Sequence, residues 1–125
     1  MKPTKRLAAF VAAVIFSIGA AHAHNDPTPN HGGVVQMDGE IKFELVASSD
    51  GAELYLSDHG AAMPTGKLAG KLTVMSGTAR TETKLEPTAG DKFVARGVKL
   101  AKGDKVIAIV TLEDKMTSSV RFVIK

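Results

Sequence analysis

The 125-residue chain has no cysteine, no tryptophan and a single tyrosine. Without cysteine there can be no disulfide, no thiolate metal centre and no thiol nucleophile. The shortage of aromatic rings removes the stacking platforms on which single-stranded nucleic acid is held. An excess of one charge is also missing from most of the chain. Three of the sixteen basic residues, Lys2, Lys5 and Arg6, precede the first apolar run, and the rest of the chain holds thirteen acidic residues against an equal number of basic ones. A neutral body offers no electrostatic footprint for a phosphate backbone, so nucleic acid is excluded as a partner. The longest apolar stretch, Leu7 to Ala21, has fifteen residues. As a helix it would cover about 22 Å, short of a hydrocarbon core of roughly 30 Å.

That stretch has the layout of an export signal. A basic start is followed by the apolar run, and Ala21-His22-Ala23 places small residues at the −3 and −1 positions of a signal-peptidase site. Residues 1–23 are therefore expected to be a cleaved signal peptide, with the mature chain starting at His24 in the periplasm and carrying no membrane span. A second site, after Ala21 with Gly19 at −3, would start it at His22. With no cysteine after the run, a lipid anchor is excluded.

Residues 24–33, His-Asn-Asp-Pro-Thr-Pro-Asn-His-Gly-Gly, combine polarity with two prolines and two glycines. This composition predicts a flexible, irregular tether. From Val34 onward the pattern becomes two-residue alternation broken by turn residues. In Glu40 to Val46, Ile41, Phe43 and Leu45 fall on one face while Lys42 and Glu44 fall on the other, which is expected to be wet. Asp38-Gly39 reads as a hairpin pair and Ser48 to Gly51 as a tight connection. Thr78 to Leu85, alternating threonine with charge, reads as an exposed edge strand. Lys105 to Leu112 is apolar on both faces and should be central, whereas Ser118 to Ile124 alternates. No helical periodicity is present beyond the signal segment. Residues 34–125 are thus expected to form one all-β domain, an antiparallel β-sandwich of about seven or eight strands with immunoglobulin-like proportions; an open barrel is the alternative.

Chemistry, on this reading, belongs to the four histidines. His22, His24 and His31 lie in or beside the tether, and His59 ends a strand in Asp58-His59-Gly60. Cleavage before His24 would join a free α-amine to an imidazole, a nitrogen pair suited to Cu(II), with Zn or Ni as other candidates. Cleavage before His22 would instead set a histidine at position three, which suits square-planar Cu(II) or Ni(II). His31 can fold back to the same ion, Asp58 can supply oxygen, and His59 is the partner held by the folded body. The candidate metal ligands are therefore His24, His31, His59 and Asp58. Beside this stands the plainer reading of His59 and Asp58 as solvated turn residues. Met37 and Met75 read as core filler, and Met63 as a thioether to watch. Catalysis is hard to assemble: there is no Gly-x-Ser-x-Gly and no carboxylate pair in an apolar setting. The chain is expected not to be an enzyme.

Taken in order, His31-Gly32-Gly33-Val34-Val35, Phe43-Glu44-Leu45-Val46, Leu54 to Gly60 and Gly70 to Val74 resemble the small β-sandwich domain at the N-terminal side of periplasmic adaptor subunits of heavy-metal efflux systems. The resemblance spans nearly the whole mature chain on short, glycine-rich motifs. It implies a periplasmic role near metal handling and points at the His31 start and the Asp58-His59-Gly60 turn. The chain lacks the helical hairpin and lipoyl-like domain of a full adaptor. A fainter similarity, to periplasmic copper-resistance sandwich proteins, implies a terminal histidine, a carboxylate and a second histidine around Cu(II). Two functions compete: a metal-binding accessory protein in heavy-metal handling or resistance, and a non-catalytic module docking on an efflux or envelope partner through an exposed strand edge.

Overall fold

Period-two alternation from Val34 onward builds nine strands. They are β1 (Val34–Asp38), β2 (Ile41–Ser48), β3 (Gly51–Asp58), β4 (Ala61–Ala62), β5 (Ala69–Ser76), β6 (Ala79–Pro87), β7 (Lys92–Arg96), β8 (Lys105–Thr111) and β9 (Thr117–Val123). The structure, a computed structural model, describes residues 27–125. The expected signal peptide, residues 1–23, and the candidate ligand His24 lie outside the described residues. Within residues 27–125 there is no helix, and every strand pairing is antiparallel.

The strands form one continuous sheet in the order β1-β2-β3-β7-β6-β5-β8-β9, with β4 attached to β3. Continuity depends on β6, which pairs with β5 from Ala79 to Leu85 and then with β7 at Glu86 and Pro87. The strand expected at an edge is therefore also the joint between the two halves. Its exposure fits the expectation, since only Leu85 is fully buried. The sheet curls until β1 lies beside β9, where the Ser118 hydroxyl donates to the Asp38 carboxylate. This near closure is barrel-like. Phe43, Leu54, Leu56 and Phe93 from one half meet Leu72, Val106, Val110 and Phe122 from the other, each 1% exposed or less. Burial of side chains this size contributes about 1.5–3 kcal/mol each. β8 is flanked by β5 and β9, as its doubly apolar pattern requires.

Two turns differ from their sequence reading, and both differences bear on the site. In the first hairpin Asp38 pairs with Ile41, so the central residues are Gly39-Glu40 rather than Asp38-Gly39. Only Gly39 takes a positive φ, +59°, the type II′ arrangement. The second hairpin was missed because β4 is only two residues long. Asp58 pairs with Ala61, leaving His59 (φ 51°) and Gly60 (φ 80°) as the two positive-φ residues of a type I′ turn. Met37 and Met75 are half-buried and stand apart from the core cluster; Met63 is the methionine packed against it.

A third difference concerns the face of β2 turned away from the core. Lys42 and Glu44 are not wet: they are 9% and 2% exposed. Residues 27–33 cover them. That segment has no strand or helix, consistent with its prolines and glycines, but it folds back across β2 and β3 instead of projecting away. Gly33 permits the close approach, because a Cβ there would stand 2.3 Å from the Leu45 carbonyl oxygen.

Candidate metal-binding site

Glu44 is the fastening point. Oε1 accepts the Asn30 N–H at 2.9 Å, while Oε2 accepts those of His31 at 2.8 Å and Gly33 at 2.9 Å. Burial, the largest single influence, pushes this carboxyl's pKa up. The three N–H bonds and the charge of His31 together outweigh it, so the group is held below the usual carboxylate range. One residue pair away, the Lys42 ammonium donates to the Thr28 carbonyl.

His31 is placed by this fastening. Its ring stacks on Tyr55, the residue paired with Glu44 across β2 and β3, with centroids 3.6 Å apart and planes inclined by 13°. The Tyr55 hydroxyl donates to Glu53 Oε2 at 2.7 Å, and Lys92 Nζ lies 3.4 Å from Glu53 Oε1. The bond to Glu53 is the main reason that the Tyr55 phenol is pushed up to about 12; burial and nearby negative charge add to it. The same bond, with Lys92, holds Glu53 below its ordinary value against the opposing effect of burial.

His59 occupies a second station. Its backbone N–H donates to the Glu40 carbonyl at 3.2 Å, which ties the β3–β4 turn to the β1–β2 turn. Nδ1 lies 2.7 Å from Asp58 Oδ1; because an ionised carboxylate only accepts, the proton on this nitrogen is assigned to the imidazole. In the neutral imidazole Nε2 is then the lone-pair nitrogen; it lies 3.8 Å from Glu40 Oε2 on a ring that is 61% exposed. Metal bonds to imidazole nitrogen and carboxylate oxygen run about 2.0–2.2 Å, which at tetrahedral or square-planar angles sets two neighbouring donors roughly 3.0–3.4 Å apart. A cation can thus bridge Nε2 and Glu40 with little movement.

The four sequence candidates consequently divide. His59 and Asp58 are together. His31 is held against Tyr55, and three residues of strand rise, about 10 Å, separate Tyr55 from Asp58. His24 lies outside the described residues. Among the described residues no three His, Asp or Glu side chains form a metal-holding group. Met63 lies in a groove lined also by Ile41, Asp58, Leu68 and Leu112.

Sequence reasoning missed Glu40, Glu44 and Tyr55. A carboxylate within the run Phe43-Glu44-Leu45-Val46 was the one available signal for Glu44, and it read as a wet-face residue. The chain matches no family model, no curated protein and no solved structure.

Proposed function

We propose that the protein is exported by a cleaved signal peptide to the periplasm. There its sandwich-like body serves as a non-catalytic metal-binding accessory protein in heavy-metal handling or resistance. Cu(II) is the favoured ion and Zn the second. The observation that carries this reading is the ordering of His59. Asp58 accepts a hydrogen bond from Nδ1–H and leaves Nε2 facing Glu40 at 3.8 Å, on a ring open to solvent. Carboxylate-oriented imidazoles are a recurring device of metal sites, because the outer carboxylate fixes the tautomer and makes the ligating nitrogen more basic. In this role Asp58 orients and Glu40 ligates. Nitrogen and oxygen donors suit Cu(II) and Zn over Cu(I). The resemblance to efflux-adaptor domains supports the same reading, as do the nitrogens that processing before His24 would create.

Copper titration of the processed protein, its N-terminus verified by mass, tests the proposal. One tight equivalent with nitrogen hyperfine structure in the EPR spectrum is expected, weakened by His59→Asn and by His24→Ala. Weak binding that no histidine variant alters overturns it.

A second reading, docking on an envelope or efflux partner by strand addition, is favoured by one feature. The side of β6 away from β5 has no ladder from Ala79 to Leu85.

A further inference from the structure

Lys42 is the one buried lysine among the described residues, at 9% exposure. Its neighbour on the same face, Glu44, looks like the natural counterion. Yet both Glu44 oxygens are taken by the N–H groups of residues 30, 31 and 33. Among the described residues the Lys42 ammonium has a single partner, the neutral Thr28 carbonyl. An ammonium carries three donors, and the Thr28 carbonyl accepts from it without supplying a counter-charge.

The side chain borders a groove of about 390 Å³ between the 27–33 segment and the end of β2 and β3. Small-molecule pockets begin at about 300 Å³. Asn30 and Ser57 supply neutral polar groups beside Lys42, Glu40 and Asp91 supply carboxylates, and Met37 and Ala62 supply a small apolar wall. One cation against two carboxylates leaves the lining negative. A phosphate or sulfate would be repelled, while a simple amine would leave Lys42 unmatched. A molecule with one carboxylate and one ammonium answers both charges.

From this lining we infer that the groove binds a small zwitterion, a free α-amino acid with a short side chain. Its carboxylate meets Lys42, with Ser57 and Asn30 as further partners. Its ammonium meets Asp91, with Glu40 adding attraction from the rim. Charge-assisted hydrogen bonds at both ends give the site its selectivity. Glu40 belongs to both the groove and the metal reading, so the test is run with a chelator present, which keeps that carboxylate free of metal.

The purified full chain is titrated with alanine, glycine, acetate and ethylamine, following backbone amide shifts by NMR. Alanine or glycine should saturate at one equivalent with shifts centred on residues 42, 57 and 91. Acetate and ethylamine should each bind at least about tenfold more weakly, because each forms only one of the two charge contacts. Lys42→Met, which keeps the aliphatic stem, should abolish amino-acid binding. Should that variant unfold, Asp91→Asn decides: it should weaken alanine about tenfold without weakening acetate. Absence of a saturable response to either amino acid overturns the inference. So does acetate binding as tightly as alanine, or Asp91→Asn leaving alanine binding intact.

Discussion

The His31 N–H donates to Oε2 of Glu44 across 2.8 Å, although the two residues stand 13 positions apart in the chain. That bond joins a segment without regular structure to the second strand of the sheet. Because the Asn30 and Gly33 N–H groups reach the same carboxylate, the three contacts act together and the segment is held as a unit.

Glu44→Ala should therefore cost more than an ordinary surface change. It strands three N–H groups that a buried charged acceptor had satisfied, so a loss of about 3 kcal/mol is expected by urea unfolding. Glu44→Gln keeps one acceptor oxygen and should lose about half of that. Hydrogen exchange locates the effect: the amides of residues 30, 31 and 33 should lose protection in both variants. Unchanged protection at these three amides would show that the carboxylate does not hold the segment.

Acid should release the same fastening. Glu44's folded-state pKa lies below its ordinary 4.5. Its contribution to stability is thus fully present above that value and is lost as pH falls through the lower folded one. Unfolding free energy measured from neutral pH downward should decline below about 4.5, and Glu44→Gln should flatten the decline. Glu53, shifted in the same direction, leaves a residual slope. Parallel curves for the two proteins would contradict the assignment.

Alkali acts on Tyr55. Since this is the only tyrosine and there is no tryptophan, its ionisation is read directly from ultraviolet absorbance. The phenol should remain protonated until the pH approaches about 12, against an ordinary 10.0. Glu53→Gln should bring the midpoint back toward the ordinary value. As the folded protein holds this proton more tightly than the unfolded chain, stability should fall as pH rises from 10.0 to about 12. A midpoint near 10.0 in the folded protein would remove the Glu53 hydrogen bond from the account.

Substitutions at His59 separate fold from chemistry. The residue sits at φ 51°, where glycine and asparagine rest easily and β-branched residues do not. His59→Asn should stay within about 0.5 kcal/mol of the parent, while His59→Val should lose roughly 1–3 kcal/mol. Thermal or urea unfolding measures both. Because His59→Asn keeps the turn, a loss of metal binding in that variant reports the imidazole and not misfolding.

The all-β class, most strand positions, the central β8 and the exposed β6 were legible in the chain. Period-two alternation and glycine-bearing turns are local properties, set by backbone sterics and by which side chains prefer water. Sequence also drew attention to Asp58-His59-Gly60, as a histidine beside a carboxylate at the end of a strand. It did not reveal that Glu40 would face the His59 ring, because that meeting depends on two hairpin turns being tied together at the strand ends. Nor did it reveal the burial of Lys42 and Glu44. An alternating strand states which side chains share a face, but whether that face stays wet depends on what crosses it. Here the cover is a polar, proline-broken segment with no periodicity of its own. It is held by backbone N–H groups that every such segment possesses and that no residue letter marks. Only the folded chain, bringing those groups onto one carboxylate from 11 to 14 positions away, turned residues 27–33 of the expected tether into part of the body.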